Sequence, residues 1–209
     1  MKQLILKDLY TQKRMGYFFP IFITFMMFIS LSFVVGIGNF FLIAATYAAI
    51  WLSVYSNFGV VSIDLLQKRL VTSLPVTRKN IVQAKYLAAL VWWGISFLFF
   101  GFIYLIIEIS TSADLGLPSW QSILLSFAAL YIAISIFYPL YFAYGYQIAA
   151  LITVIITMSG FFSIGYLSAF FDGLENSLTI SKLIIIIISI LVVTLSYIGS
   201  VRVFEKKDL

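Results

Sequence analysis

The chain has 209 residues, is 63% hydrophobic and only 10% charged, and carries a net charge of +5. A soluble domain is about a quarter charged, so composition alone points to a membrane protein, and the absence of cysteine and histidine removes disulfides, thiolate nucleophiles, imidazole bases, the common zinc sites and any Ser-His-Asp or Cys-His triad. The basic excess does not indicate nucleic acid, because the bases sit beside apolar runs, where the orientation of membrane helices accounts for them.

Those runs are near the length of about 20 residues that a helix needs to cross a hydrocarbon core of about 30 Å. They are apolar all round, unlike the alternating strands of a membrane β-barrel. The expected fold is an all-α polytopic membrane protein forming one transmembrane domain over 1–209. Residues 1–16 form an amphipathic segment in which Leu4, Ile5 and Leu9 share one helical face while Lys7, Thr11 and Arg14 lie roughly opposite. This segment is either a helix lying on the membrane interface or a plain positive flank. A full-length span follows it with no small-residue cleavage site, which argues against a signal peptide. Spans are expected over 17–36, 39–63, 86–107, 122–138, 148–170 and 183–201. Pro20 falls in the first turn of the first span, where its missing N–H costs little, and Gly36-Ile37-Gly38-Asn39 reads as a tight turn. In the second span Ala44 and Ala48, and Ala45 and Ala49, are four apart, a small-residue face suited to close helix packing within the chain or to a dimer. Tyr138-Pro139-Leu140-Tyr141 reads as a break completed by a turn at Gly145 and Gln147. Ser159, Gly160, Ser163 and Gly165 make a small-residue patch in the fifth span.

The longest polar interruption is 64–85, DLLQKRLVTSLPVTRKNIVQAK, which holds five of the 13 bases (Lys68, Arg69, Arg78, Lys79 and Lys85) and one acid, Asp64. Ile63, Leu66, Leu70 and Leu74 recur at helical spacing, and Asp64 and Lys68 make a favourably ordered i, i+4 pair. A short amphipathic helix is therefore expected from about Asp64 to Ser73. Pro75 ends it, since the residue before a proline avoids the α region, and Thr77 can cap a new helix that runs through Ile81 and Lys85 into the third span. This helix–corner–helix either transmits a push from a partner into two spans or anchors the loop on anionic lipid through Lys68, Arg69, Arg78 and Lys79.

With the N-terminal segment, the central loop and the tail on one side, twelve of the 13 bases share that side and Lys182 alone lies on the other. Positive charge marks the cytoplasmic side, which places both termini and the loop in the cytoplasm. Asp64, Glu108, Asp114, Asp172, Glu175, Glu205 and Asp208 fall at or beyond span ends. A proton- or ion-coupled carrier normally buries a charge at mid-depth, and a channel needs a polar lining or filter; neither pattern is present. No G-x-x-x-x-G-K-[ST] phosphate loop occurs, so any ATP is used by another chain.

The run Leu70-Val-Thr-Ser-Leu-Pro-Val-Thr-Arg-Lys-Asn-Ile-Val-Gln-Ala-Lys-Tyr-Leu87 resembles the cytoplasmic loop of ABC-2-type transporter permeases, in which a stretch like L-x-S-L-P-V-[ST]-R-x-x-I-V-x-x-K joins the second and third spans. The layout of the whole chain is similar too: an amphipathic start, six spans and both ends inside. The resemblance implies a permease subunit without catalytic, cofactor or metal sites of its own. A second permease chain, identical or different, would complete the pathway, and a separate ABC ATPase carrying ATP and magnesium would dock beneath. The helix before Pro75 would be the coupling helix, with Leu66, Leu70 and Leu74 as its apolar contact and Lys68, Arg69 and Arg78 as its polar rim. Larger members have a long outer segment between spans five and six; 171–182 here has room for a short helix at most. Compact permeases of this kind resemble those of Gram-positive systems that export or clear amphipathic peptides and antibiotics, from the cell membrane. Two other readings stay open: a substrate-binding component of a vitamin importer, and a non-transporting membrane scaffold or immunity protein.

Overall fold

The computed structural model describes residues 2–10, 16–18, 20–22, 37–55, 77–111, 120–156, 159 and 179–206. The expected coupling helix, the patch at 160–165 and most of the first span lie outside them. Among the described residues the structure is helical apart from Thr77 and Gly145, with the elements α1 (Lys2–Tyr10), α2 (Ile37–Tyr55), α3 (Arg78–Thr111), α4 (Trp120–Tyr144), α5 (Tyr146–Ile156) and α6 (Thr179–Lys206). Stretches of α3, α4 and α6 (Arg78–Ser110, Ile123–Tyr144 and Ile187–Lys206) are each long and apolar enough to cross a membrane. At 1.5 Å per residue, the 34 residues of α3 reach about 50 Å, well beyond a hydrocarbon core of about 30 Å.

The helices pair as α2 against α3 and α4 against α6, with α2 also packing on α4 and α3 on α6. Ala44, Ala45, Ala48 and Ala49 are all buried, so the small-residue face serves packing within the chain. Its lack of side-chain bulk lets α2 come close, and Phe41 at its edge makes tilted ring contacts, 5.6 Å between centres, with both Phe97 and Tyr104 of α3. A second cluster joins Val82, Tyr86 and Ala89 of α3 to Leu130, Ile134, Phe137, Tyr138 and Phe142 of α4, with Phe204 of α6.

Two sequence expectations are corrected. The turn expected at 36–39 gives way to helix from Ile37 onward. The break expected at Tyr138–Tyr141 is also absent, since α4 continues through Pro139 to Tyr144. Pro139 has no N–H to offer the carbonyl of Ser135, which would normally leave that carbonyl bare. Here Ser196 of α6 donates its hydroxyl to Ser135 O at 2.7 Å. A neighbouring helix thus supplies the lost hydrogen bond, the usual way a membrane helix tolerates an internal proline.

That bond fixes the direction of a longer chain. Ser196 has one proton and spends it on the carbonyl, so Tyr86 must donate to Ser196 Oγ at 2.6 Å. Ser200 then donates to Tyr86 Oη at 3.2 Å, because a hydroxyl has a single donor. The same logic orders a second chain. Thr46 donates to Leu42 O at 2.7 Å, so Ser126 donates to Thr46 Oγ1 at 2.6 Å, and Trp93 Nε1 donates to Ser126 at 3.1 Å. Each chain links three helices and ends on a backbone carbonyl.

The true interruption after α4 is Gly145, with φ of 91°. Its N–H bonds Tyr141 O at 3.0 Å and its carbonyl accepts from Ala149 N at 3.3 Å. This is the left-handed glycine cap that ends a helix cheaply, and α5 starts at once.

Candidate functional site

The site of interest is the end of the bundle where the central loop enters α3. Thr77 is the cap expected from the sequence: its carbonyl accepts from Asn80 N at 2.9 Å and Ile81 N at 3.3 Å, and its hydroxyl lies 3.4 Å from Asn80 N. The cap commits the chain to helix immediately after the loop, so Arg78 is the first residue of α3 and Lys85 lies two turns along.

Arg78 reaches across to the end of α6. Its Nη1 donates to Phe204 O at 3.0 Å and Glu205 O at 2.9 Å, and its guanidinium lies 5.8 Å from the centre of the Phe204 ring. The last carbonyls of a helix lack intrahelical partners and carry partial negative charge, so a fixed cation there satisfies both needs. The Phe204 ring is in turn 5.0 Å from Phe142 of α4.

Lys85 reaches the other way. Its Nζ donates to Asp8 Oδ2 of α1 at 2.7 Å, and the two side chains are 13% and 6% exposed. The backbone at the same residue holds α4, because Tyr138 Oη donates to Lys85 O at 3.0 Å. Lys7 completes the group as a half-buried cation. Desolvation by burial lowers its ammonium pKa below the usual lysine value, the Lys85 charge lowers it further, and Asp8 opposes both.

This arrangement revises the reading of α1. Leu4, Ile5 and Leu9 are half-buried, and Leu4 packs against the main core cluster. The most buried residue described on α1 is nevertheless Asp8, while Leu6 and Tyr10 face outward. The helix turns a stripe containing an acid toward the bundle because Lys85 waits there. Sequence reasoning passed over Asp8. Its signal was available: it is the lone acid of the first 63 residues, set among Lys2, Lys7, Lys13 and Arg14. Of the residues expected to dock a partner, the structure describes Arg78, whereas Leu66, Lys68, Arg69, Leu70, Leu74 and Pro75 lie outside the described residues.

The site therefore holds the start of α3 by one charge on each side, to α1 through Lys85 and to α6 through Arg78. It is suited to mechanical linkage. No curated protein and no solved structure matches the chain. The family described as ABC-2 family transporter protein matches across residues 3–205. With nearly the whole length matched, and with helices apolar enough to cross a membrane, the chain belongs to the ABC-2 family of membrane transporter proteins.

Proposed function

We propose that this chain is the permease subunit of an ATP-binding-cassette exporter. It works with a second permease chain, and a separate ATPase subunit hydrolyses the ATP. The reading has six spans with both termini in the bacterial cytoplasm and the segment 64–85 as the docking loop. Leu66, Leu70 and Leu74 meet an apolar groove on the ATPase, and Lys68, Arg69 and Arg78 form the rim. Arg78 fixes the base of the loop to α6, and Leu4, Ile5 and Leu9 seat the interfacial helix α1. The cargo is amphipathic or hydrophobic, of the peptide or antibiotic kind, in keeping with spans that offer aromatic and aliphatic surface without fixed charge.

The observation that carries this reading is family membership over residues 3–205. It gains support from the loop end of α3, where a displacement entering at Thr77 meets helices on two sides. The test is affinity purification of the gently solubilised chain, wild type beside Leu70→Asp, with mass spectrometry for a co-purifying ATPase that carries a phosphate loop. The expected result is an ATPase with the wild type and its loss with Leu70→Asp. Wild-type chain that captures no such ATPase overturns the reading.

A further inference from the structure

We propose that Asp8 and Lys85 are positioning residues for energy coupling: their ion pair locks α1 to α3, so that α1, the start of α3 and the end of α6 move as one body when the loop is displaced. The inference deepens the permease reading and rests on it for its functional consequence.

Both charges are withdrawn from water, with Asp8 4% exposed and the ammonium 2.7 Å away. Burying such a pair costs desolvation that the mutual attraction often only just offsets, and apolar replacements of similar volume are frequently no worse. Stability is therefore a poor reason for placing it here. What the pair does supply is a fixed register of α1 on α3, since a slip of α1 along its axis would draw the carboxylate away from the Lys85 ammonium.

α1 packs chiefly on α3, and the pair is the salt bridge that joins them among the described residues. It attaches at Lys85, whose carbonyl also receives Tyr138 of α4. The next residue, Tyr86, sits in the hydroxyl chain running to Ser196 and Ser200 of α6. Two turns earlier Arg78 caps the end of α6. The first two turns of α3 thus cannot tilt away from α1 without breaking the Lys85–Asp8 contact, nor away from α6 without breaking the bonds from Arg78 to the carbonyls of Phe204 and Glu205.

A chain without cysteine suits spin-label distance measurements. One label pair, Gln3→Cys with Lys79→Cys, reports α1 against α3. A second, Lys79→Cys with Arg202→Cys, reports α3 against α6. Full-length chain is measured in lipid nanodiscs, alone and with the co-purified ATPase trapped by ATP and vanadate. In otherwise wild-type protein both pairs should give one narrow distance that trapping leaves unchanged. Asp8→Asn should broaden the α1–α3 distance, make it shift on trapping and spare the α3–α6 distance. The charge swap Asp8→Lys with Lys85→Asp should restore the narrow distance. ATP hydrolysis by the assembly should fall about fivefold or more with Asp8→Asn, the low end of coupling between sites, and recover with the swap. An unchanged α1–α3 distance in Asp8→Asn overturns the proposal, as does a wild-type distance that moves on trapping. If Asp8→Asn loses the α3–α6 distance as well, Lys85→Gln is measured in the same way; loss of both distances there too makes the pair purely structural and overturns the proposal. If no ATPase co-purifies, the permease reading fails, while the distances in the chain alone still decide whether the pair locks α1.

Discussion

Replacing Ser196 with alanine should destabilise the protein, and by how much should depend on whether residue 139 is proline. In the native chain Ser196 holds Ser135 O at 2.7 Å, a carbonyl that Pro139, four residues on, leaves without its helical donor. Ser196→Ala strands that buried carbonyl, at about 1–3 kcal/mol for an unmet buried group. It also takes away the acceptor of the Tyr86 hydroxyl. Measured side-chain hydrogen bonds between membrane helices average about 0.6 kcal/mol, with a maximum near 1.7 kcal/mol, which draws the expectation to about 1–2 kcal/mol. In a Pro139→Ala background the N–H at 139 returns and can meet Ser135 O within the helix. Removing Ser196 then costs only the Tyr86 contact, part of which Ser200 at 3.2 Å can replace by accepting instead of donating. The double-mutant cycle should therefore show a coupling of about 1 kcal/mol, above the scatter of about 0.3–0.5 kcal/mol seen for independent sites. Reversible unfolding in mixed micelles, followed by far-ultraviolet circular dichroism, measures it. Equal costs of Ser196→Ala in the two backgrounds would refute the account of how α4 passes its proline.

Two glycines should respond in opposite directions. Gly145 sits at φ 91°, where a Cβ is strained by about 1–2 kcal/mol, so Gly145→Ala should lower the thermal unfolding midpoint. Gly94 lies inside α3 with nothing within 4 Å of an added Cβ, and Gly94→Ala should raise that midpoint through a helix preference of up to about 1 kcal/mol. Lys7 should give a pH signature. Its folded-state pKa is lowered, first by desolvation and then by Lys85, so between that value and the ordinary 10.5 the unfolded chain binds more protons. Stability should therefore rise with pH through the window just below 10.5. Unfolding midpoints across that window, compared with Lys7→Met, should show the slope shrinking in the variant; an unchanged slope would remove Lys7 as its source.

Much of the fold was legible because its determinants are local. Thr77 followed by Arg78-Lys79-Asn80 announces a helix start, and the cap is there. The alanines of 44–49 announce close packing, and they are buried between helices of the same chain. Pro139 misled for the opposite reason. The rule that proline ends a helix describes the chain's own backbone, and the donor that overrides it comes from Ser196, 57 residues later. Asp8 was hidden in the same way. A lone acid among bases looks like charge dilution on a wet face, and its partner Lys85 lies 77 positions away with no local pattern connecting them. Arg78 was singled out from the sequence, though nothing local indicated that its guanidinium would reach the last carbonyls of α6.

The two hydroxyl chains help to order this bundle. Between membrane helices the hydrophobic effect gives little drive to associate, and close packing with hydrogen bonds must select the partners. Both chains draw on α3, through Trp93 in one and Tyr86 in the other, and both end on a carbonyl of another helix, Leu42 of α2 or Ser135 of α4. The helix that continues from the central loop is thus the one most tied to its neighbours by polar contacts. The ties are graded along its axis. Arg78 comes first, Lys85 and Tyr86 follow after two turns, and Trp93 lies about 10 Å beyond Tyr86 at 1.5 Å per residue. The polar ties met by a displacement entering at Thr77 run first to α6 and α1, then to α4 and, through Ser126, to Thr46 of α2, on top of the apolar packing of α2 along α3. Substitutions at Arg78 or Lys85 should for that reason disturb whatever acts on the loop more than equally buried changes at Trp93, whose indole bonds Ser126 of α4 farther from the loop.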